Sequence, residues 1–275
     1  ANLRLVTLDA HALAEDFSKA QLKHEISQSA SSEEATEQTI SLEERYTLLD
    51  ELLKSNDYQT VERNCTISLD ASDKDGETSW EIRRTNTLEN DLVGGLMNDL
   101  TDPDILSPED TILVYLNTLK NMTAEELGNY LNADSIISTE DPAKISLAEA
   151  LVKQVHSTFD YSIGETTVSG YTATVTANIT TFDSDDILEN YQKELDTYLA
   201  SVDAVIDGSQ KRYEKSYSLL LEYIEENTAT KTVETTFTLI NDGASWKLDD
   251  AGTVFGQALF GTLSSSPVED KQETN

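Results

Sequence analysis

Two stretches of this chain spell the same β-hairpin. In the first, Val61, Cys65, Ile67 and Leu69 alternate with Glu62, Asn64, Thr66 and Ser68, the pattern of a strand with one buried face. Asp73-Lys74-Asp75-Gly76 supplies turn residues, and Ser79-Trp80-Glu81-Ile82 reads as the returning strand. In the second, Val233, Phe237 and Leu239 alternate with Glu234, Thr236 and Thr238, Asp242-Gly243 turns, and Ser245-Trp246-Lys247-Leu248 returns.

The match extends in both directions, which separates a repeat from a coincidence. Tyr46-Thr47-Leu48-Leu49 corresponds to Tyr217-Ser218-Leu219-Leu220, each on a helix leading into its hairpin. Leu92-Val93-Gly94-Gly95-Leu96 corresponds to Leu259-Phe260-Gly261-Thr262-Leu263, and the strand ending at Leu8-Asp9 to the one ending at Phe182-Asp183. In the second copy Tyr191, Leu195, Tyr198, Val202 and Val205, then Tyr213, Tyr217, Leu220 and Ile224, predict a helical hairpin whose stripes pack on each other across Asp207-Gly208-Ser209. The first copy repeats this with Leu13 and Phe17, then Leu42, Tyr46, Leu49 and Leu53, across a polar connector, Ser27 to Thr39, that is expected to be mobile.

Thr101-Asp102-Pro103-Asp104 reads as a linker. Ser107 caps a helix with Pro108 at its first position, buried through Ile112, Tyr115, Leu116 and Leu119. Thr123 and Glu126 make a capping box ahead of Leu127, Tyr130 and Leu131. A helix over 143–156 and two strands, Phe159 to Ile163 and Tyr171 to Ile179, follow. The expected fold is α+β: two tandem units, each a curved antiparallel sheet packed on helices, with a helical hairpin inserted between the second and third strands. Residues 1–100 form the first repeat, 101–106 the linker, 107–263 the complete second repeat, and 264–275 a disordered tail.

The first repeat lacks counterparts of the second repeat's leading helices and first strand. Each large apolar side chain left in water forfeits roughly 1.5 to 3 kcal/mol, against a whole-domain stability of about 5 to 15 kcal/mol. Its sheet is therefore expected to be covered by upstream residues, by the second domain or by another molecule.

The formal net charge of −33 is spread along the chain, and no Lys/Arg cluster of the kind that neutralises a phosphate backbone is present, which argues against nucleic-acid binding. It tolerates cationic partners. The single cysteine, Cys65, rules out an intrachain disulfide and a cysteine-based zinc site. No run of about 18 apolar residues marks a membrane span. The start at Ala1, running directly into Leu3, Leu5, Val6 and Leu8, reads as that of a mature or trimmed chain.

Leu116-Asn117-Thr118-Leu119-Lys120-Asn121, Leu127 to Leu131, the Trp246-Lys247-Leu248 strand and Leu259 to Leu263 together resemble the nuclear transport factor 2-like (cystatin-like) cone, and more narrowly the uncharacterised extracytoplasmic lipoproteins of Gram-positive bacteria that carry it. The resemblance covers most of Ser107 to Leu263. It implies a protein held at the outer face of the cell membrane by an N-terminal lipid outside this sequence, or secreted.

Cone enzymes place an acid, a base or a Tyr inside the cone. The candidates here are His156, Asp160 and Tyr161, but alternation puts Asp160 and Tyr161 on opposite faces, so the pair is not expected to converge. Asp73, Asp75 and Gly76 mimic part of a calcium loop, yet Ala71 and Ile82 stand where its first and last carboxylates belong, and a hairpin turn accounts for them better. Gly94-Gly95 fits a helix terminus or close packing rather than a phosphate loop. His11, His24 and His156 have no ligand spacing, Cys65 reads as core, and Trp80 and Trp246 as core or rim packing. These readings leave no assigned catalytic, cofactor or metal residue. They favour a non-enzymatic envelope module binding a protein, peptide or small ligand. The alternatives are a cone isomerase or dehydratase acting on a small hydrophobic substrate, and a structural spacer.

Overall fold

The computed structural model describes residues 1–31, 40–74, 77–131 and 142–264. Residues 32–39 of the expected connector, Asp75 and Gly76, and the tail from 265 lie outside the described residues. The fold is α+β with antiparallel sheets. The chain forms two compact units, one of Ala1–Glu25, Thr39–Thr111 and Asn241–Lys247, the other of Ile26–Gln38, Ile112–Ile240 and Leu248–Asn275. The expected linker, 101–106, lies inside the first of these.

The first unit opens with β1 (Asn2–Leu8), followed by α1 (Ala10–Ser31), α2 (Leu42–Ser55) and β2 (Thr60–Thr66), which pairs antiparallel with β1. Ala10, Leu13, Ala14 and Phe17 are buried at helical spacing on α1. Ser27 to Ser31, expected in the mobile connector, continue this helix. α2 is fixed at its start by a capping box between Ser41 and Glu44. Its buried stripe differs from the expected one: Leu42, Tyr46 and Leu53 are exposed, and the half-buried positions are Leu48, Leu49 and Leu52. The helix is turned so that Arg45, 5.9 Å from the Phe17 ring centre, faces α1.

The alternation read as one strand from Val61 to Leu69 is divided. At Ile67-Ser68 the pairing partner changes: β3 (Leu69–Lys74) pairs with β4 (Glu77–Ile82) as a separate two-stranded ladder. Asp73 and Lys74, expected in the turn, belong to β3, with Asp73 opposite Thr78. No residue of β4 is buried, and Trp80 is 64% exposed rather than packed. Among the described residues no third strand joins this ladder. α3 (Asn86–Leu92) and α4 (Leu96–Asp99) follow. Gly94 and Gly95 between them have φ of +72° and +92°. A Cβ on Gly94 would stand 2.9 Å from Thr7 Oγ1 and 3.1 Å from the Leu8 carbonyl oxygen, so close packing against the end of β1 requires glycine.

Further along the chain, α5 (Pro108–Asn121), α6 (Ala124–Tyr130) and α7 (Pro142–Thr158) precede β5 (Asp160–Ser169) and β6 (Thr172–Phe182). Ser107 and Thr123 cap as expected: the Asp110 amide donates to Ser107 Oγ, and Thr123 forms its box with Glu126. A helical hairpin, α8 (Ser184–Leu199), α9 (Val202–Ile206) and α10 (Gly208–Glu226), leads to β7 (Thr230–Asn241), β8 (Trp246–Leu248) and α11 (Ala251–Phe260). The strand order is β5-β6-β7-β8, which puts the hairpin between the second and third strands. Ala173, Val175, Ala177 and Ile179 of β6 and Phe237 and Leu239 of β7 are buried. Phe255 of α11 packs on Phe237 at 5.3 Å between ring centres, and on Tyr115 at 6.0 Å. A bulge at Gly164-Glu165 bends β5, and Thr176 Oγ1 accepts the freed Glu165 amide at 2.8 Å.

The two β-helix-helix-β segments close alike. The Asp9 amide donates to the Gln59 carbonyl at 2.7 Å and the Asp183 amide to the Ala229 carbonyl at 2.9 Å, with Leu8 opposite Thr60 and Phe182 opposite Thr230. Aligning Val61 with Val233 in the two sequence patterns equates Cys65 with Phe237; counted from this shared end, Cys65 opposite Leu3 is instead level with Thr235 opposite Ala177. The shift of two residues keeps the same face of the strand, and Cys65 is buried as expected.

Candidate binding groove

β7 outruns its outer neighbour. It spans Thr230–Asn241, whereas β8 spans Trp246–Leu248 and meets it near the turn, where the Asp242 amide donates to the Ser245 carbonyl and the Asp249 amide to the Thr238 carbonyl. Among the described residues no strand lies alongside the outer edge of β7 from Thr230 to Phe237. This edge opens onto a groove of about 540 Å³ lined by Lys231, Val233, Glu234, Thr235 and Thr236 of β7, and by Val254, Gln257 and Ala258 of α11. Adjacent residues of β7 all reach the groove, as they do along an edge rather than over one face.

The floor of the groove is built where α8 begins. Asp183 caps the helix, its carboxylate accepting the amides of Asp185 and Asp186 at 3.1 and 3.3 Å. Gly261, with φ of +55°, lets the segment after α11 approach so closely that a Cβ would stand 2.4 Å from Ser184 Oγ. Ser184 Oγ accepts the Thr262 amide at 3.2 Å, and Thr262 Oγ1 donates to Asp185 Oδ1 at 3.0 Å. Lys231 Nζ reaches Asp185 Oδ2 at 2.5 Å. The Lys231 hydrogen bond, with that of Thr262, holds the Asp185 carboxyl below the usual range, and the Asp185 bond raises the Lys231 ammonium. The groove thus offers apolar patches, hydroxyls and one neutralised ion pair. Its hydroxyls have a carboxylate but no His beside them among the lining residues.

The residues singled out in the sequence lie elsewhere. His156 is exposed in the last turn of α7. Asp160 and Tyr161 are drawn together through Lys120, which was not anticipated: its Nζ lies 2.6 Å from Asp160 Oδ1 and 5.7 Å from the Tyr161 ring centre. That bond lowers the Asp160 carboxyl, opposite to what a general base needs, while burial raises the Tyr161 phenol. His11 Nδ1 is 3.7 Å from Asp99 Oδ1. Asp73 Oδ1 accepts a hydrogen bond from Thr78 Oγ1. Among the described residues no group of three or more His, Cys, Asp or Glu could hold a metal ion, and no helix is long and apolar enough to cross a membrane. The open edge of β7 escaped the sequence reading because the short Trp246–Leu248 strand was matched to β7 by its turn, which says nothing of how far the pairing runs.

No family model and no curated protein matches the chain. A solved structure, the "putative lipoprotein (ycdA)" of Bacillus subtilis, is similar at a TM-score of 0.37 and 12% identity, over 68% of this chain. The match takes in 64% of that chain, less than two thirds of its length.

Proposed function

We propose that this protein is a non-catalytic binding module whose second unit takes an extended polypeptide segment along the open edge of β7. The observation that carries this reading is the run from Thr230 to Phe237, beside whose outer edge no strand lies among the described residues, facing the 540 Å³ groove. An edge of that length presents amides and carbonyls to an incoming strand, while side-chain pockets beside it select alternate residues. Val233, Val254 and Ala258 offer apolar contact, and Glu234 suits a cationic side chain, as does the net charge of −33. The β-helix-helix-β segments are, in this proposal, copies of one cone-like unit, and the chain works at the outer face of a Gram-positive cell membrane. Support for that family and location is the sequence resemblance over Ser107 to Leu263.

The test is selection from a random peptide library against the whole chain and two variants, Glu234→Pro and Thr235→Pro. Neighbouring amides of a strand point to opposite sides, so one proline disturbs the β6 ladder and the other removes a donor from the open edge. Circular dichroism identifies the variant that stays folded. Selected peptides are expected to bind that variant about tenfold more weakly or worse. Equal binding to wild type and folded variant, or no enrichment at all, overturns the proposal.

A further inference from the structure

The first unit holds a cavity of its own. It measures about 280 Å³ and is walled by α1, by α2, by the segment that leads into α5 and by the turn between β7 and β8, all within that unit. Its floor is apolar: Leu106 and Trp246 are buried there, with Leu100 and Ile105 half-buried beside them. Its rim is charged, carrying the exposed side chains of Arg45, Glu25 and Asp102. Arg45 is the unusual member. The rotation of α2 that turns it toward α1 leaves Leu42 and Tyr46 67% and 64% exposed, yet among the described residues no carboxylate or carbonyl accepts from its guanidinium. The Phe17 ring, 5.9 Å away, attracts the cation but takes none of its in-plane hydrogen bonds, so the N–H donors are left for another acceptor. Glu25 and Asp102 line the same cavity, and neither is ion-paired with Arg45. Asp102 Oδ1 accepts the Asp104 amide at 3.0 Å, which fixes the carboxylate and leaves Oδ2 open.

Charge and size together select the occupant. A simple anion would meet Arg45 but also the two carboxylates and the field of a −33 chain. A simple cation would leave the guanidinium unanswered. A zwitterion answers both signs and has no net charge for that field to repel. The volume lies just under the ~300 Å³ at which pockets for drug-sized ligands begin, which leaves room for one apolar side chain above the floor rather than for a peptide.

We infer that this cavity binds a free α-amino acid with an apolar side chain: its carboxylate on Arg45, its ammonium on Asp102 and Glu25, and its side chain against Leu100, Ile105, Leu106 and Trp246. The site is independent of the groove beside β7. Trp246 reports on it directly once the exposed Trp80 is removed as Trp80→Phe. L-Leucine, L-isoleucine and L-phenylalanine are each titrated into this otherwise whole chain up to about 10 mM, and at least one is expected to give a saturable change in Trp246 emission. Two analogues of the best binder separate the contacts without touching the fold. Its deaminated acid, which lacks the ammonium, and its amide, which lacks the carboxylate, are each expected to bind about tenfold more weakly or worse. Glycine, without a side chain for the floor, is expected to do the same. Arg45→Met keeps an apolar stem against Phe17 and is expected to weaken the best binder by a similar factor, with a thermal melt confirming that the variant is folded. No saturable change with any of the three amino acids overturns the proposal. So does either analogue binding as well as its parent, or a folded Arg45→Met that binds like the unsubstituted protein.

Discussion

The indole Nε1 of Trp246 donates to Asp104 Oδ1 at 2.9 Å, across 142 residues of sequence. The same oxygen accepts from Asn241 Nδ2 at 3.1 Å. Trp246 is only 6% exposed and Asn241 is buried, so one exposed carboxylate satisfies two buried donors.

Replacing Asp104 with Ala strands the Trp246 indole and takes one of two acceptors from Asn241, whose Nδ2 also donates to the Pro103 carbonyl at 3.3 Å. Each unsatisfied buried group costs about 1–3 kcal/mol, so Asp104→Ala is expected to lose about 2 kcal/mol, and Asp104→Asn less because an amide oxygen remains. Urea unfolding monitored by tryptophan fluorescence measures both. An unchanged midpoint for Asp104→Ala would refute the assignment.

Gly94 and Gly261 occupy comparable places, each with positive φ and each pressed on the junction of a strand and its following helix, Thr7 to Ala10 and Ser184. Alanine at either position meets both a backbone penalty and a collision. The expected loss is about 1–3 kcal/mol each, whereas Gly170→Ala, with positive φ but open space around it, loses only the backbone part. Thermal melts of the three variants give the order.

Acid should weaken the second unit through two ion pairs and a helix cap. The Asp160, Asp185 and Glu126 carboxyls are held below their ordinary values by Lys120, by Lys231 with Thr262, and by Thr123. A folded-state pKa below the unfolded one gives stability that is complete above about pH 4 and is lost as pH falls through the depressed value. Asp185→Asn should flatten this acid limb while leaving stability near pH 7 lowered only slightly, since the pair is half exposed. Melting temperatures between about pH 2 and 7 test the sign.

Cys65 is buried, and burial together with neighbouring Asp91 raises its thiol. A thiol reagent at neutral pH is expected to leave native protein unmodified and to react fully in denaturant. Reaction within minutes on folded protein would show that β2 opens readily.

The elements were legible where periodicity and caps agree. Ser107, Thr123 and the Ala173 to Ile179 alternation gave α5, α6 and β6 because local chemistry decides them. What failed depends on distant partners. The Leu42, Tyr46 and Leu53 stripe was right as a helix and wrong as a buried face, since Arg45 over Phe17 sets the rotation. Trp80 and Trp246 share a sequence pattern but not a fate, because Asp104 and a four-stranded sheet exist for only one of them. Val202 and Val205 fit the heptad-like spacing of α8, which cannot reveal that Ser201 restarts the helix and leaves them 74% and 82% exposed. The groove was illegible for the same reason: an edge is the lack of a neighbour, and neighbours are not written locally.

Phe182 and Thr230 sit on one rung of the β6 and β7 ladder, as do Leu8 and Thr60 on β1 and β2. Each helical excursion therefore leaves its sheet and returns at the same level. Anything inserted or deleted within the excursion is absorbed there, without slipping the strands by a residue and turning their faces inside out. Evolution can lengthen, shorten or re-tip such a loop-out freely while the sheet stays constant, and the same rung is where an engineer could splice in a short turn to obtain a minimal version of this unit.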